Sequence, residues 1–458
     1  MRTLPLAIVA LTAPLAPLPA LADGVSLTIY NEDLAMVRDS RTIAFPAGGG
    51  AIAFDGVSAR IRPETAALKA DGVRVEQQNF DFDLISPPKL LEKAVGKPVT
   101  ILRLNPATGK EEATRATVLA ANGEPLFVID GRIETLGAGA RVAFDSLPET
   151  LKSRPTLSMQ VVSARAGSRP ARLTYLTGGL GWNADYVGQY DEARGLLNLQ
   201  GWVTIRNQSG TDFVNARTQV VAGDINQATR EIMVTAYRKD AMAMPAPPAE
   251  PAREAVGDYH LYTLPTPLTL TNNQTKQVAL LHAASVKAAR SYRYEAHGFS
   301  TQEQPQNVEV RVRFANTAAN GLGQPLPGGV VRLYGQDKAG ESQFLGEDSI
   351  AHTPDGNTVD LTLGRAFDVT VQPLLEGRRI VARDDNGQTV EWSMVYTLRN
   401  RKDAATTVDL RQSGLYGDWQ LLGESLKHQK LDADTIGWQV PVPAKGETVV
   451  KFTLRQRN

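Results

Sequence analysis

The residues most able to do chemistry in this chain sit close together: Trp182, Asn183, Asp185, Tyr186 and Trp202. An exposed indole beside a carboxylate and an amide can stack on a sugar ring and hydrogen-bond its hydroxyls. The same residues also fit a plainer role, with the tryptophans buried as anchors of a β-sandwich and Asp185 bonded to a neighbouring backbone group or arginine. We favour the plainer role, because large aromatics in β-domains are mostly buried.

Other chemistry is sparse. The sequence has no phosphate-binding GxxxxGK, no GxGxxG, no GxSxG elbow and no HExxH helix. Without cysteine there is neither thiol catalysis nor a thiolate metal site. The five histidines, His260, His282, His297, His352 and His428, form no i, i+4 pair. Asp81 and Asp83 share one strand face opposite Phe80, Phe82 and Leu84, but no further oxygen ligand for calcium stands beside them in sequence, so a solvated face is expected. The run Asp384-Asp385-Asn386-Gly387 lacks the alternate ligand spacing of a calcium loop and reads as a hairpin turn. No cofactor and no metal are expected.

The elements that must carry these residues are strands. Leu197, Leu199, Gly201, Val203 and Ile205 alternate as a half-buried strand requires, and Asn207 to Gly210 supplies a turn. At 458 residues and 42% hydrophobic, the chain is long enough for several domains with cores of their own. Residues 1–22 read as a secretory signal peptide, with Arg2, the apolar run Leu4 to Ala13 and a small-x-small site at Ala20-Leu21-Ala22. Its removal leaves a net charge of −1, which does not suit a coat for nucleic acid or acidic lipid. No later run is apolar for long enough to span a membrane as a helix. The expected location is therefore exported, periplasmic or cell-surface.

Taken in order, residues 23–91 are expected to form an N-terminal β-sandwich and 92–150 a small β-barrel-like unit. A short helix is expected from Pro87 to Val95, capped by Ser86. Strands at Val99–Leu104, Ala113–Leu119, Leu126–Ile129 and Arg141–Phe144 are joined by turns that include Asn122-Gly123 and Asp130-Gly131. Residues 151–367 form a central β domain with a Pro/Ala-rich loop at 238–257. Residues 368–458 form a C-terminal immunoglobulin-like β-sandwich with Trp392, Trp419 and Trp438 on separate strands. Three alternating runs end on an asparagine before a polar turn, at Asn207, Asn316 and Asn400, an echo that suggests repeated sandwich modules.

The stretches LTYLTGGLGWNADYV (Leu173–Val187), LQGWVTIRNQSG (Leu199–Gly210), NARTQVVAGDIN (Asn215–Asn226) and LYTLPTPLTLTNNQTKQVALL (Leu261–Leu281) resemble the bacterial family called domain of unknown function 4139. Its mucoidy inhibitor A type relatives have an opening similar to Val25–Phe54, but they carry a long coiled coil for which this chain has no heptad run. The resemblance implies an exported bacterial β-protein and carries over no catalytic residue. The expected product is a mainly β protein of several antiparallel sandwiches, acting without catalysis by binding or scaffolding an envelope protein or glycan. The alternatives are a glycan-acting hydrolase using a carboxylate pair and a calcium-dependent adhesin.

Overall fold

The computed structural model describes residues 24–223 (except 32, 107 and 149), 255–256, 259–384 and 387–457. The expected leader lies outside the described residues. So do all but 255–256 of the Pro/Ala-rich stretch, and Asp385 and Asn386 of the expected hairpin turn.

The protein is mainly β, with one α-helix among the described residues. Its first strands are β1 (Gly24–Ile29), β2 (Ala35–Phe45), β3 (Gly48–Asp55), β4 (Ile61–Ala70) and β5 (Val73–Asp81). Helix α1 (Pro87–Lys93) precedes β6 (Pro98–Leu104), β7 (Glu111–Ala120), β8 (Leu126–Ile129), β9 (Arg132–Glu134) and β10 (Arg141–Ala143). Next come β11 (Thr156–Ser163), β12 (Gly167–Thr177), β13 (Leu180–Asp191), β14 (Leu196–Asn207) and β15 (Phe213–Ala222). They are followed by β16 (Ala255–Val256), β17 (Tyr259–Thr263), β18 (Leu268–Leu270), β19 (Gln274–His297), β20 (Gln306–Ala315), β21 (Gly329–Gln336), β22 (Ser342–Ile350) and β23 (Thr358–Asp384). The chain closes with β24 (Gly387–Asn400), β25 (Thr406–Ser413), β26 (Asp418–Glu424), β27 (Gln429–Lys430), β28 (Ile436–Val442) and β29 (Gly446–Arg457).

The first sandwich packs the sheet β16-β17-β15-β1-β2-β12-β4 against the three-stranded β3-β11-β5. In β12 the inward positions Ala171, Leu173, Tyr175 and Thr177 alternate with exposed or half-buried ones, as the period of a strand demands. Tyr175 accepts the Ser58 N–H at 3.2 Å, and burial pushes its phenol well above the usual range. Strands β1, β2 and β4, from the segment expected as an N-terminal sandwich, pair with β15 and β12 of the segment expected as the central domain. Alternation reveals that a strand is half-buried, but it does not name the partner: β1 ladders parallel on β15, and β2 and β4 antiparallel on β12.

Between β5 and β11 stands the small unit. Ser86, in extended conformation, caps α1 by accepting the Lys89 N–H at 3.4 Å, and Pro87 and Pro88 occupy positions where no donor is needed. The helix packs Ala94 at its C-cap against Val99, Ile101, Val118 and Phe127. Asp130 and Gly131, both at positive φ (48° and 79°), turn β8 into β9 as the Asp-Gly pair predicts. The expected barrel-like closure does not occur: the sheet is open, in the order β10-β6-β7-β8-β9. Its outer strands are three residues each, too short for a ladder to close it.

A second, strongly curled sheet follows the order β22-β21-β13-β14-β19-β20-β23 before continuing into the C-terminal strands. β13 and β14 pair without a break from Leu180↔Asn207 to Asp191↔Leu196. The outer strands β22 and β23 approach each other without forming a ladder. There Gly346 has φ +143°, and a Cβ on it would lie 2.2 Å from the Leu363 carbonyl oxygen, so glycine is needed for the approach. Beside it the Thr362 N–H donates to Asp348 Oδ2 at 2.7 Å.

Three long strands pass from this core to the last one. β19 contributes Ala283 and Val286 to the first core and Tyr292 to the second, β20 contributes Val312 and Phe314 to the first and Val308 to the second, and β23 runs from Leu361 to Val369 in the same way. At 24 residues, β19 reaches ~80 Å if fully extended, ample for two layers. The C-terminal sandwich, expected at 368–458, thus draws on strands that begin earlier. Trp438 is fully buried in it against Phe452 at 5.0 Å, and Trp392 and Trp419 are half-buried on the same core.

The three asparagines do one job. The Asn207 amide donates to the Thr211 and Leu270 carbonyls at 2.9 and 3.0 Å and accepts the Ser209 N–H at 3.0 Å. The Asn400 amide donates to the Ala404 and Pro443 carbonyls at 2.9 and 3.1 Å and accepts the Lys402 N–H at 3.0 Å. Asn316 donates to the carbonyls of Gln324, Thr353 and Pro354 at 2.8, 3.2 and 2.9 Å and accepts the Gly323 N–H at 3.2 Å. Each buried amide replaces the ladder bonds that end where its strand turns.

On the outer face of β23-β24-β29, Glu391 lies between two arginines, receiving Arg455 Nη2 at 2.6 Å and Arg379 Nη2 at 2.5 Å. The hydrogen bonds from Arg455 and then Arg379 hold its carboxyl below the usual range. A group with a depressed folded-state pKa contributes stability above its unfolded pKa, and that stability is lost as pH falls through the folded value. The melting temperature of the wild type should therefore fall more steeply than that of Glu391→Gln below about pH 5. Parallel acid limbs in thermal melts of the two proteins would contradict this.

Candidate functional site

β13 divides the residues singled out in the sequence between two faces. Trp182 and Tyr186 point into the core with 2% and 0% exposure, the indole donating to the Val221 carbonyl at 3.1 Å and the phenol to the Pro327 carbonyl at 2.8 Å. Burial raises the Tyr186 phenol far above its ordinary range, so it is a neutral donor. Asn183 is exposed on the opposite face, with Asp185 and the half-buried Trp202, which lies across the ladder from Asp185. Asp185 accepts Arg332 Nη1 at 3.0 Å and Thr204 Oγ1 at 2.6 Å, and the hydrogen bond to Asp185 raises the Arg332 guanidinium. The five residues therefore do not form one sugar-stacking surface. In single-tryptophan variants, acrylamide should quench Trp202 and leave Trp182 protected; equal quenching would contradict this placement.

The expected acidic pair is also committed elsewhere. Asp81 accepts Ser158 Oγ at 2.6 Å, while Asp83 meets Lys93 at 2.7 Å and Lys89 at 3.2 Å. Hydrogen bonds from Lys93 and Lys89 hold Asp83 below the usual carboxylate range. Among the described residues no group of three or more acidic or histidine side chains is placed to hold a metal. Chelation should leave the melting temperature unchanged, and a drop on adding EDTA would restore the calcium reading. Of the histidines, His297 faces Ser413 across the β19–β25 ladder, Nδ1 to Oγ 2.6 Å, and among the described residues no carboxylate bonds the imidazole to complete a triad.

A concave site opens instead at the mouth of the curled sheet, where β13 turns into β14. It is a cleft of about 950 Å³. Its walls come from the ends of β13, β14, β21 and β22 and from the stretches of β19, β20 and β23 that cross between the two cores. Such mouths are favoured ligand seats because strand ends leave room that side chains must fill or a ligand can. Val312 and the buried Tyr190 form an apolar floor, and burial raises the Tyr190 phenol. Ser285 lies at the bulge in β19 with φ +58°, its N–H donating to Asn198 Oδ1 at 2.9 Å.

The charges of the cleft are largely paired within it. Arg194 lies 3.6 Å from Asp191, and Arg290 lies 2.5 Å from Glu192 with its guanidinium 5.3 Å from the centre of the Tyr292 ring. Asp337 accepts the N–H groups of Glu341 and Ala339 and the Gln343 amide, and the Glu341 N–H in particular holds its carboxyl below the usual range. Arg365, exposed on β23, makes no ion pair among the described residues. At the rim Phe367 is 83% exposed, and Leu345 of β22, 41% exposed, also lines the cleft.

The sequence reading passed over Tyr190, Arg290, Arg365 and Phe367. One signal did mark the place. The apolar positions Val359, Leu361 and Leu363 slip out of phase at Gly364, resume at Ala366 and slip again before Val369 and Val371, and this is the stretch where β23 leaves one core for the other. No protein-family model and no curated protein matches the chain.

Proposed function

We propose that the chain is a noncatalytic protein of the cell envelope that binds or scaffolds a partner, protein or glycan, through the cleft at the mouth of the curled sheet. The observation that carries this reading is the cleft itself: roomy, floored by apolar groups, with the exposed Phe367 at its rim and its carboxylates already held by arginines or amides. Exposed apolar area beside a concave polar site is characteristic of an interaction surface. Export is taken from the leader-like residues 1–22, and an envelope setting also from the family resemblance of Leu173–Val187.

Photo-cross-linking tests the reading. A benzophenone amino acid placed at Phe367, with the exposed Val214 on β15 as control, is irradiated in envelope fractions of the source cells. Adducts at position 367 should exceed those at 214 by about tenfold, as a specific site requires. Equal labelling at the two positions would overturn the assignment of the cleft.

A further inference from the structure

We propose that the cleft takes an extended polypeptide segment of a partner protein, seated as an added strand between the facing edges of β22 and β23, with a carboxylate on Arg365 and an apolar side chain against Phe367. This rests on the cleft being the binding seat.

The edges supply the first argument. The ladder partner of β22 is β21 alone, and β23 pairs only with β20 until Arg365. The two edges touch at Gly346 and Leu363, where one N–H is satisfied by Asp348. Next along each strand from that contact, Leu345 of β22 and Gly364 to Phe367 of β23 line the cleft. An unpaired strand edge offers N–H and C=O groups at the repeat of another extended chain, which is the basis of strand addition. Gly364 leaves the room: with φ +147°, the position of its missing Cβ has no heavy atom within 4 Å.

Charge and apolar area supply the second. Of the three arginines lining the cleft, Arg194 and Arg290 already meet carboxylates, and Arg365 does not. A guanidinium fork recognises a carboxylate by two parallel hydrogen bonds. Phe367, at 83% exposure, stands two residues along β23 from Arg365, both exposed with the buried Ala366 between them, and both line the cleft. A polypeptide that carries an acidic residue and an apolar residue two apart meets both at once. A glycan would leave the repeating backbone groups of the edges unmatched.

The test uses the full chain, immobilised, and a random library of peptides of about ten residues, the length of a long strand. The wild type should enrich sequences with Asp or Glu two positions from an aromatic or large aliphatic residue, by about tenfold over input. Arg365→Glu should shift the preference to Lys or Arg, and N-methylation of alternate amides in a selected peptide should abolish binding when it removes the donors facing an edge. Arg365 and Phe367 are exposed, so circular dichroism should show their variants folded. Enrichment that ignores charge, identical selection by Arg365→Glu, or indifference to N-methylation in both registers would overturn the proposal. If the library yields nothing while position 367 still cross-links to a glycan in envelope fractions, strand addition falls and the binding seat stands. If position 367 labels no more than 214, both fall.

Discussion

Replacing Asn316 with alanine should destabilise the protein by about 3 kcal/mol, far more than the loss of one polar surface side chain. Its side chain is fully buried and serves four backbone groups: the carbonyls of Gln324, Thr353 and Pro354 and the N–H of Gly323. Each net hydrogen bond is worth about 1 kcal/mol; the Thr353 and Pro354 carbonyls keep the N–H donors of Leu326 and Asn357, but the Gly323 N–H loses its Asn316 acceptor, which adds a desolvation cost of similar size. Asn316→Asp separates bonding from packing, because it keeps the shape and places a carboxylate against three carbonyl oxygens. At neutral pH it should cost at least as much as alanine. The aspartate's folded-state pKa is then raised by burial and by those carbonyls, so its protonated form is favoured in the fold; stability should recover as pH falls through that value and be lost as it rises. Guanidinium unfolding of the three proteins, followed by circular dichroism, measures this. A loss below about 1 kcal/mol for the alanine variant would mean that water replaces the amide and that the asparagine is not a clamp.

Trp182→Ala should cost about 3 to 5 kcal/mol, the range for deleting a fully buried large aromatic. Trp182 reaches from β13 to the Val221 carbonyl of β15, so it joins the curled sheet to the first sandwich. Trp182→Phe retains most of the apolar contact but leaves that carbonyl without its donor, and should cost about 1 to 3 kcal/mol. Denaturant midpoints of the two variants decide the matter. If phenylalanine is as damaging as alanine, the hydrogen bond dominates; if alanine is tolerated, the indole is not the anchor its burial implies.

The placement of Trp182 was readable in principle from parity. Trp182, Ala184 and Tyr186 lie on one side of an alternating strand, and Asn183 and Asp185 on the other, so the cluster could not share a surface while β13 was regular. The favoured reading, a buried tryptophan anchor with Asp185 bonded to an arginine, matches Trp182 and the Asp185–Arg332 pair, whereas the sugar-face alternative treated nearness in sequence as nearness in space. The cap of α1, the Asp130-Gly131 turn and the asparagine stops were legible because each rests on a side chain acting on backbone groups a few residues away. Even for the asparagines the more distant partners, Leu270 and Pro443, could not be named beforehand.

By itself, then, the amino-acid sequence determined the mainly β class, most strand positions and the turn chemistry, since side-chain alternation and local hydrogen bonding operate within single elements. Only the tertiary structure decided that β1 pairs with β15, that β19, β20 and β23 serve two cores, and that the unit at 92–150 stays open. It alone brought Tyr190, Arg290, Arg365 and Phe367 to one cleft. The physical reason is that a strand's backbone bonds equally well to any other strand, so partner and register follow from how all the apolar faces can be buried together, a condition on the whole chain.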